Sequence, residues 1–155
     1  MRNQRLLKDY QALSELDKRS SLVDIESICA YKERYKVTYF CRSLIWLDGR
    51  DNPSYCKRHK LEIYLHKEYP RKPPSLKWLT NIFHPNILPP HKNGGVCIGS
   101  WTAAETLDIL CVRIGEMLQY KDYNLTDPLD EDAAKWIMNS QVALPVDNRS
   151  FFDLS

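Results

Sequence analysis

The sequence predicts an α+β fold in a single domain. Helical spacing of apolar residues opens the chain, strand-like alternation of apolar and polar residues follows, and helical spacing returns in the last third. A chain of 155 residues, 43% of them hydrophobic, is long enough to bury one core, and it shows no repeat or low-complexity linker. We expect one domain over residues 1–155, with an N-terminal helix, a four-stranded antiparallel β-meander, a long irregular segment and C-terminal helices.

Residues Asn3–Asp17 are expected to form an amphipathic helix. Its apolar face is spaced by three and four residues and consists of Leu6, Tyr10, Leu13 and Leu16 or Asp17. The opposite face carries the basic residues Arg2, Arg5 and Lys8. Such a face is either an ordinary solvated surface or a docking surface, and the residues alone leave both readings open.

Four stretches rich in β-branched and aromatic residues or in alternating apolar residues predict the strands of the meander. A turn at Lys32–Arg34 is expected between the first two, and a loop with glycine and proline between the second and third. The predicted strands are Leu22–Tyr31 at the edge, Tyr35–Leu47, Leu61–His66 and Ser75–Asn81, and the predicted loop is Asp48–Tyr55.

The last third returns to helical spacing. A mostly buried helix is expected to begin near Thr106, with Thr102 or Thr106 as its cap. Residues Asn124–Leu129 read as a turn, and Asp130–Asn139 as a second helix whose acidic start suits the helix dipole. The tail from Pro145 has no usable period, and its two phenylalanines either pack against the domain or remain for a partner.

Composition excludes several classes of function. A net charge of +2 from 22 basic and 20 acidic residues does not indicate a nucleic-acid surface, so we expect protein partners. The polar N-terminus is no signal peptide, and no apolar run approaches the length of a membrane span, which predicts a cytoplasmic protein without membrane contact. Scattered cysteines indicate neither a disulfide framework nor a metal site; they are Cys29, Cys41, Cys56, Cys97 and Cys111.

The segment from Tyr69 to Cys97 holds the candidate chemistry. Its later part cannot be regular structure, because three prolines remove backbone donors and Asn93-Gly94-Gly95 supplies turn geometry. Cys97 follows that turn, so we expect its thiol to face solvent and to be a nucleophile. The other four cysteines are expected to be small buried apolar residues.

Several motifs then resemble the ubiquitin-conjugating enzymes in order and spacing. The resemblance covers roughly Leu6 to Ile137 and is strong because the motifs occur together. They are Tyr69-Pro70-x-x-Pro73-Pro74, His84-Pro85-Asn86, Gly95-Val96-Cys97 with a following Trp101, and Asn124-Leu125-Thr126-Asp127-Pro128-Leu129. The resemblance implies that the irregular segment is a catalytic loop.

The resemblance also implies roles. Cys97 would accept a ubiquitin-like protein as a thioester from an activating enzyme, without a metal or organic cofactor, and pass it to a lysine of a protein substrate. Asn86 would donate a hydrogen bond to the oxyanion or brace the loop that holds Cys97. Asp127 would desolvate or orient the lysine, and capping the next helix is an equally compatible role. The basic residues of the first helix would engage the activating enzyme.

The remaining motif residues are expected to be structural, namely Tyr69, Pro73, Pro74, His84 and Pro85. Two alternatives stay open. One is an inactive variant that holds a ubiquitin-like protein or scaffolds an active partner. The other is a cysteine hydrolase, in which His84 or, less convincingly, His91 would have to hydrogen-bond the Cys97 sulfur.

The chain also departs from the family pattern. Eleven positions separate Asn86 from Cys97, because Pro89-Pro90-His91-Lys92 resembles an insertion, and the loop from Cys97 to Trp101 is short and lacks an arginine. Arg71 and Thr102-Ala103-Ala104 stand where the family forms its usual contact with RING ligases. We therefore expect a ligase, if one is used, to bind by other contacts. Such divergence suits a bacterial or otherwise remote ubiquitin-like system.

Overall fold

The computed structural model describes residues 2–28 and 30–152 and confirms the α+β architecture. Two antiparallel sheets are combined with three α-helices and a short 3-10 turn within this described part. In chain order the elements are α1 (Arg2–Arg19), β1 (Val23–Ser27), β2 (Arg34–Tyr39), β3 (Ser43–Ile45), β4 (Ser54–Cys56), β5 (His59–Tyr64), β6 (Ser75–Trp78), the 3-10 turn (Pro90–Lys92), α2 (Leu107–Leu118) and α3 (Glu131–Asn139).

The predicted four-stranded antiparallel sheet is confirmed, with strand order β1-β2-β5-β6. The register pairs Val23 with Tyr39 and Leu61 with Trp78, so that the apolar side chains of neighbouring strands share one face. That face packs on α1 and α2 to form the main core. The outer face carries a row of alternating charge across all four strands: Glu26, Lys36, Glu62 and Lys77.

The long strand predicted over Tyr35–Leu47 was wrong, because the chain leaves the main sheet after Tyr39. Strand β3 pairs instead with β4, which begins inside the predicted loop Asp48–Tyr55 and ends one residue after it. The C-terminal tail explains the break. Asp147 accepts the amide of Arg42 at 2.8 Å, and Arg149 donates to the carbonyl of Phe40 at 3.2 Å. These bonds satisfy backbone groups that a continuous strand would have paired.

The predicted edge strand was also too long. Strand β1 ends at Ser27, and the chain then reverses through Lys32, which has a φ of 59°. The amide of Ile28 donates to the carbonyl of Arg34 at 3.0 Å and closes this reversal. Cys29 lies outside the described residues, and the strand predicted to reach Asn81 ends at Trp78.

Helix α1 is confirmed, but its buried face is turned by one residue from the prediction. Asp9 is fully buried, whereas Tyr10 is 36% exposed. The carboxylate of Asp9 is satisfied by three donors from different parts of the chain. These are Arg5 Nε at 2.9 Å, the Tyr69 hydroxyl at 2.6 Å and the amide of Leu107 at 3.1 Å. A carboxylate with these partners is stable in the core, which hydrophobic spacing does not predict.

Both later helices are confirmed, and their caps differ from expectation. Thr106 is the residue before α2, but its hydroxyl donates to Asp108, and Asp9 instead accepts the first amide of the helix. At α3 the side chain of Asp130 accepts the amide of Ala133 at 3.1 Å. The helix-capping role considered for Asp127 was therefore wrong, since Asp130 performs it.

The tail returns to the core. Phe151 is buried and lies against Gly115 of α2, where an added Cβ would come within 2.2 Å of its ring. Its ring also meets Tyr39 edge-on, at 6.0 Å between centroids. Phe152, in contrast, is 65% exposed. Phe151 thus packs against the domain, which was one of the two alternatives left open, and Phe152 stays at the surface.

Candidate active site

Cys97 lies beside Asn86 even though eleven positions separate them in the sequence. The segments on either side of the insertion run antiparallel. The amide of Cys97 donates to the carbonyl of Asn86 at 2.9 Å, and the amide of Leu88 donates to that of Gly95 at 2.8 Å. Residues 89–94 therefore form a loop that closes on itself, and its length does not separate Cys97 from Asn86.

The turn that was predicted at Asn93-Gly94-Gly95 closes this loop. Asn93 and Gly94 have φ values of 83° and 69°, and a Cβ on Gly94 would lie 2.7 Å from the carbonyl oxygen of Trp78. Glycine is needed at this position for both reasons. The carbonyl of Gly94 accepts the Trp78 amide at 2.8 Å, which fixes the loop to the edge of β6.

The side chain of Asn86 is a brace in this structure. Its Nδ2 donates to the carbonyl of Asn124 at 2.9 Å, and its Oδ1 accepts the amide of the same residue at 2.8 Å. The side chain therefore joins the Cys97 segment to the Asn124–Leu129 turn by a two-point contact. Nδ2 has a second hydrogen, so the bracing contact is compatible with donation to an oxyanion.

His84 is a structural residue, and the structure contradicts the hydrolase alternative. Its Nε2 lies 2.7 Å from the carbonyl oxygen of Met117 and so carries the proton, while its Nδ1 accepts the amide of Asn86 at 3.0 Å. Both ring nitrogens are thus occupied by main-chain groups. Full burial lowers the pKa of His84 from 6.5 to about 4, which keeps the ring neutral. His91 is exposed on the insertion.

The cleft beside Cys97 has a volume of about 190 Å³. Two of its residues, Asp122 and Tyr123, were missed by the sequence analysis; they come directly before the Asn124–Leu129 motif, so adjacency to that motif was the available signal. Asp127 is exposed on the turn and is not among the lining residues. The lining consists of Asn86, Cys97, Ile98, Gly99, Met117, Asp122, Tyr123 and Asn124.

Among the described cysteines, Cys97 is exposed, as expected of a nucleophile. Cys41 and Cys111 are buried, and burial raises the pKa of each thiol to about 12, which keeps them protonated. Cys56 was expected to be buried but is partly exposed, because it lies at the end of the two-stranded sheet. No group of three or more His, Cys, Asp or Glu residues in the described ranges is arranged to hold a metal ion.

The structural motif residues anchor the loops around the site. Tyr69 is buried, with its hydroxyl on Asp9, and the indole of Trp101 donates to the carbonyl of Pro70 at 3.0 Å. The carbonyl of Pro73 lies 2.7 Å from His66 Nε2, and Pro74 is buried. The carbonyl of Pro85 accepts the amides of residues 129 and 130 at 2.8 and 3.0 Å. These contacts support the structural roles expected for the motifs.

The basic face of α1 is only partly a solvated surface, which was one of the two readings that the residues left open. Arg2 donates to the carbonyls of Tyr69 and Leu65 at 2.7 and 2.9 Å. The Arg5 side chain is only 15% exposed, because it bonds Asp9, the Tyr69 hydroxyl and loop carbonyls that precede α2. Lys8 is exposed.

None of the helices in the described residues combines the length and the apolar character that a membrane span requires.

We predict that His84 makes the free energy of unfolding fall at low pH. Because burial favours the neutral ring, its contribution is complete above the ordinary pKa of 6.5 and is lost as pH falls from 6.5 to about 4. Over this range the wild type should lose about 3 kcal/mol of unfolding free energy more than a His84→Gln variant. Urea unfolding across the range measures it, with His91→Gln as an exposed control that should keep the wild-type slope. Parallel curves for wild type and His84→Gln would contradict the assignment.

Comparisons with known proteins agree with this fold. The sequence model described as "Ubiquitin-conjugating enzyme" matches residues 5–145. The ubiquitin-conjugating enzyme E2 pex4 of Dictyostelium discoideum is 31% identical over 142 residues, which cover 89% of this chain and 87% of the relative. The NEDD8-conjugating enzyme UBC12 of Kluyveromyces lactis is 36% identical over 80 residues, 49% of this chain and 41% of the relative.

A solved structure shows the same arrangement. The conjugating-enzyme domain of a Toxoplasma gondii protein superposes with a TM-score of 0.63 and 26% identity, covering 89% of this chain and 87% of that one. The family match begins within α1 and extends over the sheets, the Cys97 loop, α2 and α3. This chain therefore belongs to the ubiquitin-conjugating enzyme family, and its general role is that of a transferase in ubiquitin or ubiquitin-like conjugation.

Proposed function

We propose that this protein carries a ubiquitin-like protein as a thioester on Cys97 and transfers it to a lysine. The observation that carries the proposal is the position of Cys97, which is exposed at the cleft and hydrogen-bonded through its amide to Asn86. The carried protein belongs to the class of ubiquitin or NEDD8, in keeping with the relatives' names.

The reaction has two balanced steps. In the first, the Cys97 thiolate attacks the thioester carbonyl on the activating enzyme and displaces that enzyme's thiolate, so one thioester replaces another. In the second, a neutral lysine amine attacks the Cys97 thioester, an isopeptide bond forms, and the Cys97 thiolate leaves and takes up, directly or through water, the proton that the amine loses. The activating enzyme spends the ATP, so the proposed steps at Cys97 need no cofactor.

Asn86 serves the second step in two ways in this proposal. Its contact with the Asn124 main chain holds the Cys97 segment, and the second hydrogen of its amide is available to the oxyanion. For orienting the lysine we propose Asp127, because its exposed carboxylate is accessible to an incoming amine. Asp122, in the wall of the cleft, is the second carboxylate at hand.

The surfaces for protein partners follow from exposure. Lys8 is exposed on α1, so we propose it as the main basic contact with the activating enzyme. Arg2 and Arg5 would contribute by fixing the position of the helix through their bonds to Tyr69 and Asp9. Arg71 is 78% exposed and pairs with Glu68 at 3.0 Å. Residues 102–104 are also exposed. A charged pair at this place opposes the usual apolar RING contact, because the charges would have to be desolvated.

The inactive-scaffold alternative is less well supported. A protein that only holds a ubiquitin-like partner has no need for an exposed thiol beside a braced asparagine, and here both are present. The cytoplasmic location and the bacterial source expected above stay predictions.

We predict that Cys97 alone carries the thioester. After incubation with an activating enzyme, ATP and a ubiquitin-like protein, the wild type should gain a mass that a reductant removes. Cys97→Ser should give at most a reductant-resistant oxyester, because oxygen replaces sulfur, and Cys97→Ala should give no adduct. Cys56→Ala is the matched control and should charge normally, since Cys56 is the one described cysteine besides Cys97 that is not buried. Normal charging of Cys97→Ala would disprove the central claim.

We predict that Asn86→Ala separates the two steps. Charging should survive, since it is an exchange of thiolates, and discharge to free lysine should slow by roughly ten- to a thousandfold through loss of the oxyanion donor. Single-turnover assays of each step measure the effect, and Asn139→Ala on the exposed side of α3 is the control. Discharge at the wild-type rate would remove Asn86 from the mechanism.

The same lysine assay distinguishes the two carboxylates. Asp127→Asn should slow discharge at low lysine concentration, because the proposed contact is with the incoming amine. A loss found only in Asp122→Asn would transfer the role to Asp122.

We also predict that ordinary RING domains do not accelerate discharge of the preformed Cys97 thioester. The reason is the Arg71–Glu68 pair and the altered residues 102–104, which present charge and short side chains instead of an apolar contact. A panel of RING domains tests this, with a RING-responsive family member as the positive control. Arg71→Leu alone should recover little, since residues 102–104 remain altered. Acceleration equal to that of the control enzyme would show that the usual contact is intact.

A further inference from the structure

A guanidinium from α2 holds the loop that follows Cys97. Arg113 Nη2 donates to the carbonyls of Ile98 and Ser100, the latter at 3.2 Å. Its Nη1 lies 2.7 Å from each carboxylate oxygen of Glu105. We propose that Arg113 is a positioning residue for transfer from Cys97, an inference that rests on the proposed thioester function.

The loop depends on such contacts because it lacks regular structure. Residues 98–106 contain no helix or strand, so their carbonyls have no ladder partners there. Gly99 has a φ of 76°, and this turn brings the carbonyls before and after it onto one nitrogen of Arg113. Arginine suits the task, since its planar group offers several donors in fixed directions.

Cys97 is thereby held from both sides. Its own amide is bonded to Asn86, and the carbonyl of the next residue, Ile98, is bonded to Arg113. Without Arg113, the bond between the Cys97 amide and the Asn86 carbonyl would still fix the backbone before the sulfur. The backbone after the sulfur would lose the hydrogen bond that Arg113 donates to the Ile98 carbonyl. A small displacement of a reacting atom can cost a large factor in rate, so the transfer step should be sensitive to this anchor.

Arg5 holds the other end of the same loop by donating to the carbonyls of Ala103 and Glu105. It is a poor test residue, because it also neutralises buried Asp9. Arg113 is better suited, since its side chain is 27% exposed and its partner Glu105 is 15% exposed. Glu105 orients the guanidinium, so Glu105→Gln should weaken the anchor less than loss of Arg113.

The experiment uses the wild type, Arg113→Met, Arg113→Lys and a matched control, Arg34→Met. Arg34 pairs with Glu62 at 3.5 Å on the outer face of the sheet, away from this loop. Each protein is charged with ubiquitin or NEDD8, the thioester is isolated, and discharge is followed against lysine concentration. Thermal unfolding reports the folded fraction, so that rates refer to folded protein.

We expect Arg113→Met to lower the maximal discharge rate by roughly ten- to a hundredfold, with little change in the lysine concentration at half-maximum. Arg113→Lys should recover part of the rate, because an ammonium can reach a carbonyl but cannot bridge two carbonyls and Glu105. Arg34→Met should discharge as the wild type does.

Two outcomes would overturn the inference. One is wild-type discharge by folded Arg113→Met, whatever its melting temperature. The other is an equal rate loss in Arg34→Met, which would indicate a general effect of losing an ion pair. If Arg113→Met does not fold, discharge by Arg113→Lys at the wild-type rate would also refute it. Failure of the wild type to form a thioester would instead refute the proposed function.

Discussion

The hydrogen bonds that the buried carboxylate of Asp9 accepts are the contacts on which the packing of this protein most depends. The carboxylate lies in the core, yet it joins α1 to the start of α2, to the hydroxyl of Tyr69 and, through Arg5, to the loop before α2. Burial and this carboxylate together raise the pKa of Tyr69, which keeps the hydroxyl a donor. Leaving a buried charge without its partner costs about 3–5 kcal/mol, so these contacts are maintained together.

A second set of contacts connects the Cys97 segment to α2. His84 connects the carbonyl of Met117, in the last turn of α2, to the amide of Asn86, and Asn86 connects in turn to Asn124. Cys97 is bonded to the same asparagine through its amide. The exposed thiol therefore sits on backbone whose position is set by neutral, buried groups. Arg113 adds a charged contact from the same helix on the other side of the sulfur.

Sequence patterns predicted the parts of this fold that periodicity controls. The sheet, the three helices and the Asn93–Gly95 turn depend on local spacing and backbone preference, and all are present. The break after Tyr39 was not predictable, because it is caused by Asp147 and Arg149 more than a hundred residues later. The burial of Asp9 was not predicted for a similar reason, since its three hydrogen-bond donors come together only in the fold. At the site, motifs predicted Cys97 and Asn86, which the fold brings together. Asp122 stands next to a motif but belongs to none, and its place in the cleft depends on the fold.

The loop closed between Leu88 and Gly95 has a consequence for how much its own length matters. Its two ends are hydrogen-bonded to each other, and its turn is fixed to β6, so the residues between them contribute nothing to the distance from Asn86 to Cys97. Doubling the length of such a loop costs only about 0.6 kcal/mol of closure entropy. A longer loop at this place therefore costs little stability, and it adds surface beside Cys97 without lengthening the path between Cys97 and Asn86.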